Sequence, residues 1–249
     1  MTFSSELFLF ALLPILLASM LLNQNQRNTQ QVMILLANIC FGLWSGFGGL
    51  VLILAMTGGT FLLVRFWILP GERGRLALTI TLLCLPLLFF KYTAFLIGNV
   101  NALFRISLSV PDLMLPLGIS FYTFQAISLV VDVYRGEVCE VRFREVLLYL
   151  TFFPTVTSGP ILRFTPFREG LASPVRYRDW NGALFRFVLG LSKKVLIADR
   201  LALLADYYFD GIAAGGSYSA AGLWLGSIAY SLQLYFDFSG YSDMAIGIG

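Results

Sequence analysis

Two apolar runs, residues 48–68 and 76–98, are each long enough to cross the hydrocarbon of a bilayer as a helix, which takes about 20 residues. They constrain the fold more than any other feature. A soluble protein could hide both runs only beneath a polar exterior, and this sequence does not supply one. Of its 249 residues 58% are hydrophobic and 12% charged, whereas a soluble domain carries roughly twice that charge. Lipid must be the main solvent of the chain, and the expected class is all-α, a polytopic membrane helical bundle. Hydropathy predicts further spans near 5–22, 31–45, 113–133 and 222–246. The first reads as a retained transmembrane helix: only Glu6 precedes Leu7–Leu22, and the first basic residue is Arg27, so the positive n-region of a signal peptide is missing. Trp44–Gly49 makes 31–68 a tight hairpin.

Basic residues in short loops orient such a bundle. The loops with Arg27, with Arg73 and Arg75, and with Arg135, Arg142 and Arg144 should be cytoplasmic. The uncharged turn at 45–48 and the 99–112 loop should lie outside, so the spans alternate and the N-terminus is expected outside. The net charge is +3, yet 11 of the 17 Lys and Arg residues lie between Arg135 and Arg200. In so apolar a chain that bias speaks for orientation and against nucleic acid. Cys40, Cys84 and Cys139 stand too far apart for a disulfide framework or a metal pattern and read as core packing. The sequence contains no histidine and no internal repeat.

The region between the last two spans is less regular. Segment 145–157 is barely long enough to cross and runs into Pro154 and Pro160. Segment 181–208 carries Lys193, Lys194, Asp199 and Arg200 in mid-run. One charge near the bilayer centre costs at least ~2.5 kcal/mol, so four in one lipid-facing span are excluded. The expectation is re-entrant or interfacial helices around a buried cavity, since irregular backbone at membrane depth needs cover from protein or water.

Three constellations carry candidate chemistry. In Leu115–Glu137, Ser120, Phe124, Ser128 and Asp132 recur every four residues beside a stripe of Tyr122, Gln125 and Leu129. This face either bonds helix to helix or lines a cavity; Asp132 and Arg135 read as an interfacial pair. In Phe152–Phe167, Thr155, Thr157, Ser158 and Gly159 sit where prolines break the helix and free backbone amides. The turn either lines a tunnel, binds an anion or merely ends a helix. The basic residues that follow, Arg163, Arg168, Arg176 and Arg178, either orient the chain or attract a polyanionic cytosolic donor; Lys193 and Lys194 are further candidates for donor attraction. In Leu234–Gly249, Gln233, Asp237 and Tyr241 form one stripe and Ser239, Asp243 and Gly247 another. An intramembrane carboxylate is a functional candidate by default, with helix bracing as its alternative.

These residues resemble the membrane-bound O-acyltransferase superfamily, in its bacterial branch with the alginate O-acetyltransferases and the D-alanyl transfer proteins of teichoic acid modification. The resemblance rests on LGISFYTFQAIS (Leu117–Ser128), DVYRGE (Asp132–Glu137), FFPTVTSGPILRF (Phe152–Phe164), GLSKKVLIADRLA (Gly190–Ala202) and SLQLYFDFSGYSDMAIGIG (Ser231–Gly249), in that order. It divides one membrane domain, 1–249, into peripheral transmembrane helices over 1–114 and a motif-bearing tunnel region over 115–249. It implies helices around a tunnel, with an acyl donor, acetyl-CoA or another acyl thioester, on one side and a hydroxyl acceptor on the other. No bound cofactor or metal is expected. Membrane lipids and extracellular or periplasmic acetylation proteins are the expected partners, and the bacterial cytoplasmic (inner) membrane is the expected location.

The resemblance also implies a histidine deep in the tunnel as general base, because imidazole can take and return a proton near neutrality. This sequence has none and ends where relatives continue. The expectation is therefore an N-terminal piece of a longer O-acetyltransferase of an exported polysaccharide, not competent for transfer by itself. The alternatives are D-alanyl or other acyl transfer to an envelope polymer, or a transporter or scaffold without chemistry of its own.

Overall fold

The computed structural model describes residues 3–24, 26–44, 46–111, 113–157, 159–160, 162–172 and 180–249. Helix dominates, and no strand occurs among the described residues. The chain forms two compact units, one from residues 16–157 and 161–175, the other from 1–15, 158–160 and 176–249.

The first unit holds α2 (Arg27–Trp44), α3 (Phe47–Phe66), α4 (Arg73–Phe104), α5 (Ile119–Tyr134), α6 (Phe143–Thr151), α7 (Phe153–Val156) and α8 (Phe164–Ala172). Helices α3 and α4 are long and apolar enough to cross a membrane, with mean hydropathies of 2.1 and 2.0. Pro86 lies inside α4; spanning helices tolerate it because neighbouring groups re-satisfy the carbonyl it frees. The hairpin expected over 31–68 is present, with Gly46 at φ +113° leading into α3.

The span expected from residue 113 starts later, at Ile119, because Pro111 and Pro116 keep the preceding stretch out of helix. Gly118 then begins α5 at φ +75°, and a methyl group in its place would strike the carbonyl of Val156. Only glycine fits both the left-handed backbone and that approach. Segment 145–157 is short and broken as expected. Helix α6 stops at Thr151 and α7 restarts at Phe153 with Pro154 in its first turn, a position where a missing N–H costs nothing.

In the second unit a π turn, Phe8–Leu12, leads into α1 (Leu13–Leu22), whose last seven residues belong to the first unit. The unit also contains α9 (Trp180–Ser192), a π segment (Lys193–Ala198), α10 (Asp199–Ala213) and α11 (Ala220–Ile248). The charged stretch, expected as re-entrant or interfacial helices around a buried cavity, is one continuous helical run with i→i+5 bonding at its middle. Helix α11 starts at Ser219, whose hydroxyl accepts the Gly222 N–H at 3.2 Å.

Candidate functional site

The α9–π–α10 run packs antiparallel to α11, and glycines set the spacing. A methyl on Gly190 would lie 2.5 Å from the Gly240 carbonyl oxygen and 2.7 Å from the Met244 nitrogen. One on Gly240 would lie 2.7 Å from the Gly190 carbonyl, and one on Gly247 2.7 Å from that of Ala183. The backbones touch, as small residues allow in membrane helix pairs. Gly226, Gln233, Gly240 and Gly247 recur every seven residues along α11, the period of a coiled-coil seam.

Beside this seam three of the four charges expected to be costly, Lys193, Lys194 and Asp199, are paired, while Arg200 is exposed and makes no ion pair among the described residues. Lys193 Nζ donates to Asp243 Oδ2 at 2.5 Å and to Ser239 Oγ at 3.1 Å, while Arg186 Nε reaches Asp243 Oδ1 at 3.2 Å. Lys194 Nζ bridges Asp237 Oδ1 at 2.7 Å and Asp199 Oδ1 at 2.8 Å. Two consecutive lysines therefore both face α11, an arrangement that falls within the widened π turn. Asp243 is the most enclosed member, its side chain 16% exposed, against 46% for Asp237. Each carboxylate has a cation within bonding distance, so the clasp places opposite charges together in a low-dielectric setting instead of leaving either alone.

The other α11 candidates complete this face. Tyr241 stacks on Phe3, ring centroids 4.6 Å apart and planes at 12°, and Phe3 in turn meets the fully buried Phe8. Gln233 Oε1 is enclosed with no hydrogen-bond partner in the structure.

A second constellation lies in the first unit. Gln125 Nε2 donates to Thr155 Oγ1 at 3.0 Å, so the α5 stripe and the broken α6–α7 segment meet, two turns along α5 from the Gly118–Val156 approach. Asn38 of α2 spans the break itself: its Nδ2 donates to Thr151 Oγ1 at 3.1 Å, and its Oδ1 accepts the Phe153 N–H at 3.0 Å. Sequence reasoning missed Asn38. The available signal was one amide inside an apolar helix, in a sequence rich in such small polar interruptions. Near it lies an apolar cavity of about 80 Å³, lined by Leu35, Asn38, Leu50, Leu117, Thr151 and Val156.

Tyr122 and Gln125 are 1% exposed, and the Tyr122 hydroxyl and Gln125 Oε1 have no hydrogen-bond partner in the structure. Such buried atoms can accept or donate one more bond without losing an existing one. Ser120 is half-buried and Phe124 is 52% exposed, whereas Asp132 at the far end of their stripe is buried, so that stripe opens only along the first half of α5. Thr157 is half-buried at the end of α7, while Ser158, Arg176 and Arg178 lie outside the described residues.

Of the basic candidates, Arg163 is exposed, and Arg168 donates to the Glu140 carbonyl at 3.0 Å with its guanidinium over Phe164. Nearby, Arg27 and Gln31 both donate to the Leu171 carbonyl, at 2.7 and 3.1 Å, tying the end of α8 to the start of α2. No group of three metal-ligating side chains occurs among the described residues. The five quoted sequence stretches thus fall into two constellations, one on α5–α7 and one on α9–α11.

The chain is 37% identical over 267 residues to the probable alginate O-acetylase AlgI of Pseudomonas syringae pv. tomato, a match covering 100% of this chain and 49% of that protein. It is 33% identical over 288 residues to the peptidoglycan O-acetyltransferase of Helicobacter pylori, covering 99% of this chain and 53% of the relative. A teichoic acid D-alanyltransferase of Streptococcus thermophilus is 33% identical over 138 residues, 53% of this chain and 33% of that protein. The chain spans about half the length of the curated relatives it matches from end to end. A family model matches residues 81–249, which include both constellations except Asn38, and the chain belongs to the MBOAT, membrane-bound O-acyltransferase family.

Proposed function

We propose that this chain is part of a membrane O-acetyltransferase that esterifies hydroxyl groups of an exported or cell-envelope polysaccharide. One observation carries the reading. End-to-end similarity extends to proteins named for O-acetylation of two different glycans, alginate and peptidoglycan, whereas the D-alanyltransferase match stops at 53% of the chain. The reaction is common to these two relatives and the polymer is not, which favours acetyl transfer as the activity.

In this reading an acetyl thioester, acetyl-CoA or a related donor, approaches from the cytoplasm through the tunnel implied by the family. The acceptor hydroxyl attacks the thioester carbonyl carbon, the C–O bond forms, the C–S bond breaks, and the hydroxyl proton passes through a general base to the departing thiolate. The 249 residues contain no histidine, so an imidazole base would come from outside them, and this stretch alone would not turn over. Its own contribution is positional. The Tyr122 hydroxyl is free to donate to a carbonyl and Gln125 Oε1 to accept from a hydroxyl of donor or acceptor, and the Lys193–Asp243 and Lys194–Asp237 clasp holds the α11 face. The site would lie in a bacterial cytoplasmic membrane with the N-terminus outside and with extracellular acetylation proteins as acceptors or relays.

The test is transfer from radiolabelled acetyl-CoA by membranes containing the protein made from its complete reading frame, with its polymer and neighbouring secreted proteins present. Ester-linked label, released by hydroxylamine, is expected on the polymer or on a partner protein. No label on any acceptor, with the protein folded in the membrane, would overturn the proposal.

A further inference from the structure

Lys91 stands alone in the middle of an apolar helix. It lies 16 residues after Arg75 and 14 before Arg105, about 24 and 21 Å along α4 at 1.5 Å per residue. With the apolar run centred on a hydrocarbon layer of about 30 Å, its Cα is near mid-depth. A lysine stem of about 6 Å does not reach either headgroup layer from there. Yet Lys91 is exposed, and it makes no ion pair among the described residues. Its ammonium lies 5.8 Å from the ring of its chain neighbour Tyr92, at the outer limit for a cation–π attraction.

The surrounding face is shaped for another helix. Leu87, Leu88, Ala94, Phe95 and Gly98 lie three, four or seven residues from Lys91 and share its side of α4. Leu88 and Phe95 are 48% and 64% exposed, and a methyl on Gly98 would meet nothing within 4 Å. Ala94 and Gly98, four apart, form the small-xxx-small pattern that lets a second helix backbone approach closely. A bare ammonium at this depth is unfavourable, so the face calls for a neighbour bearing the opposite charge. A second copy does not provide it. Neither α3 nor α4 contains Asp or Glu, Asp132 of α5 is buried, Asp237 and Asp243 of α11 are already paired, and the exposed Asp206 and Asp210 lie on the amphipathic α10, not on an apolar span that could seat on this face.

We infer that the C-terminal half of α4 is a docking face for a membrane helix that carries one Asp or Glu opposite Lys91. That helix belongs to the part of the family fold outside these 249 residues, since the end-to-end relatives are about twice as long. The carboxylate accepts from the Lys91 ammonium, and the partner's backbone rests on Ala94 and Gly98.

The test places a photo-crosslinking benzoylphenylalanine at Phe95, or at Phe89 on the opposite side of α4, in the protein made from its complete reading frame in bacterial membranes. Irradiation at position 95 should join α4 to a peptide that is absent from residues 1–249 and contains Asp or Glu; position 89 should not. Lys91→Glu should lower the adduct at least about tenfold, and Lys91→Arg should preserve it. Reversing the partner carboxylate to Lys should restore the adduct in Lys91→Glu, and Lys91→Met checks that loss of charge alone leaves the protein in the membrane. Adducts to lipid only, to a second copy, to an unrelated protein or to a segment without a carboxylate would each overturn the inference, as would equal yields from Lys91→Glu and the parent.

Discussion

The contact at Gly190 permits a sharp test of the helix seam. In Gly190→Ala the new methyl sits 2.5 Å from the Gly240 carbonyl oxygen, 2.7 Å from the Met244 nitrogen and 2.9 Å from Met244 Cγ. An ordinary methyl contact starts near 3.4 Å, so α11 must retreat by 3.4 − 2.5, or 0.9 Å. Two of the three atoms are backbone, and no side-chain rotation can relieve them. Overpacking of this kind costs about 1–3 kcal/mol. The exchange also gains about 1 kcal/mol of helix propensity, so the comparison should be made with Gly58→Ala in α3, which makes the same gain and whose methyl meets nothing within 4 Å. The difference between the two variants is then the strain itself, about 2–12 °C in thermal midpoint at 2–4 °C per kcal/mol for chains of this size. The assay is the thermal midpoint of each variant purified in the same detergent. If Gly190→Ala melts at or above Gly58→Ala, the backbone contact between α9 and α11 is wrong.

The paired charges give a ranked expectation. Asp243→Asn strips the carboxylate from both Lys193 and Arg186, whereas Asp237→Asn leaves Lys194 its second partner, Asp199. Asp243→Asn should therefore be the more destabilising, by about 1–3 kcal/mol given its partial exposure, read as thermal midpoint; equal midpoints would count against the clasp. Asn38→Leu removes the acceptor of the Phe153 N–H and the donor to Thr151 inside a buried region. It should cost about 1–3 kcal/mol, seen as a lower midpoint and less protein in the membrane. Gln125→Leu loses only its bond to Thr155 and frees the structure of an unpartnered oxygen. Its stability should change by less than about 1 kcal/mol, while transfer activity falls if that oxygen meets substrate.

Much of this was readable from local pattern. The apolar runs at 48–68 and 76–98 became α3 and α4 because length and hydropathy are properties of each segment alone. The stripes on α11 were visible at helical spacing, and so was the cost of four charges in 181–208; the expectation met that cost with re-entrant or interfacial helices, whereas the structure pairs three of the four. What pattern could not supply was the identity of those partners. Lys193 and Asp243 are 50 residues apart, and Asn38 and Phe153 are 115 apart; nothing in either neighbourhood names the other. The late start of α5 was legible in principle, since Pro116 and Gly118 mark it, but hydropathy runs through both without a break. The i→i+5 bonding at Lys193–Ala198 leaves no compositional trace at all.

That π segment makes one residue of chain length locally disposable. Its wide turn holds one residue more than an α turn would, so removing one of Val195, Leu196 and Ile197 would let the backbone close into ordinary i→i+4 bonding while α10 keeps its phase. Ala205, now fully buried, and Tyr208, against which Gly226 of α11 packs, would stay on their side of the run. A deletion within Leu201–Leu204 finds no such slack and would turn the rest of α10 by about 100°. Single-residue insertions and deletions should accordingly be absorbed at Lys193–Ala198 and excluded from the α-helical turns on either side.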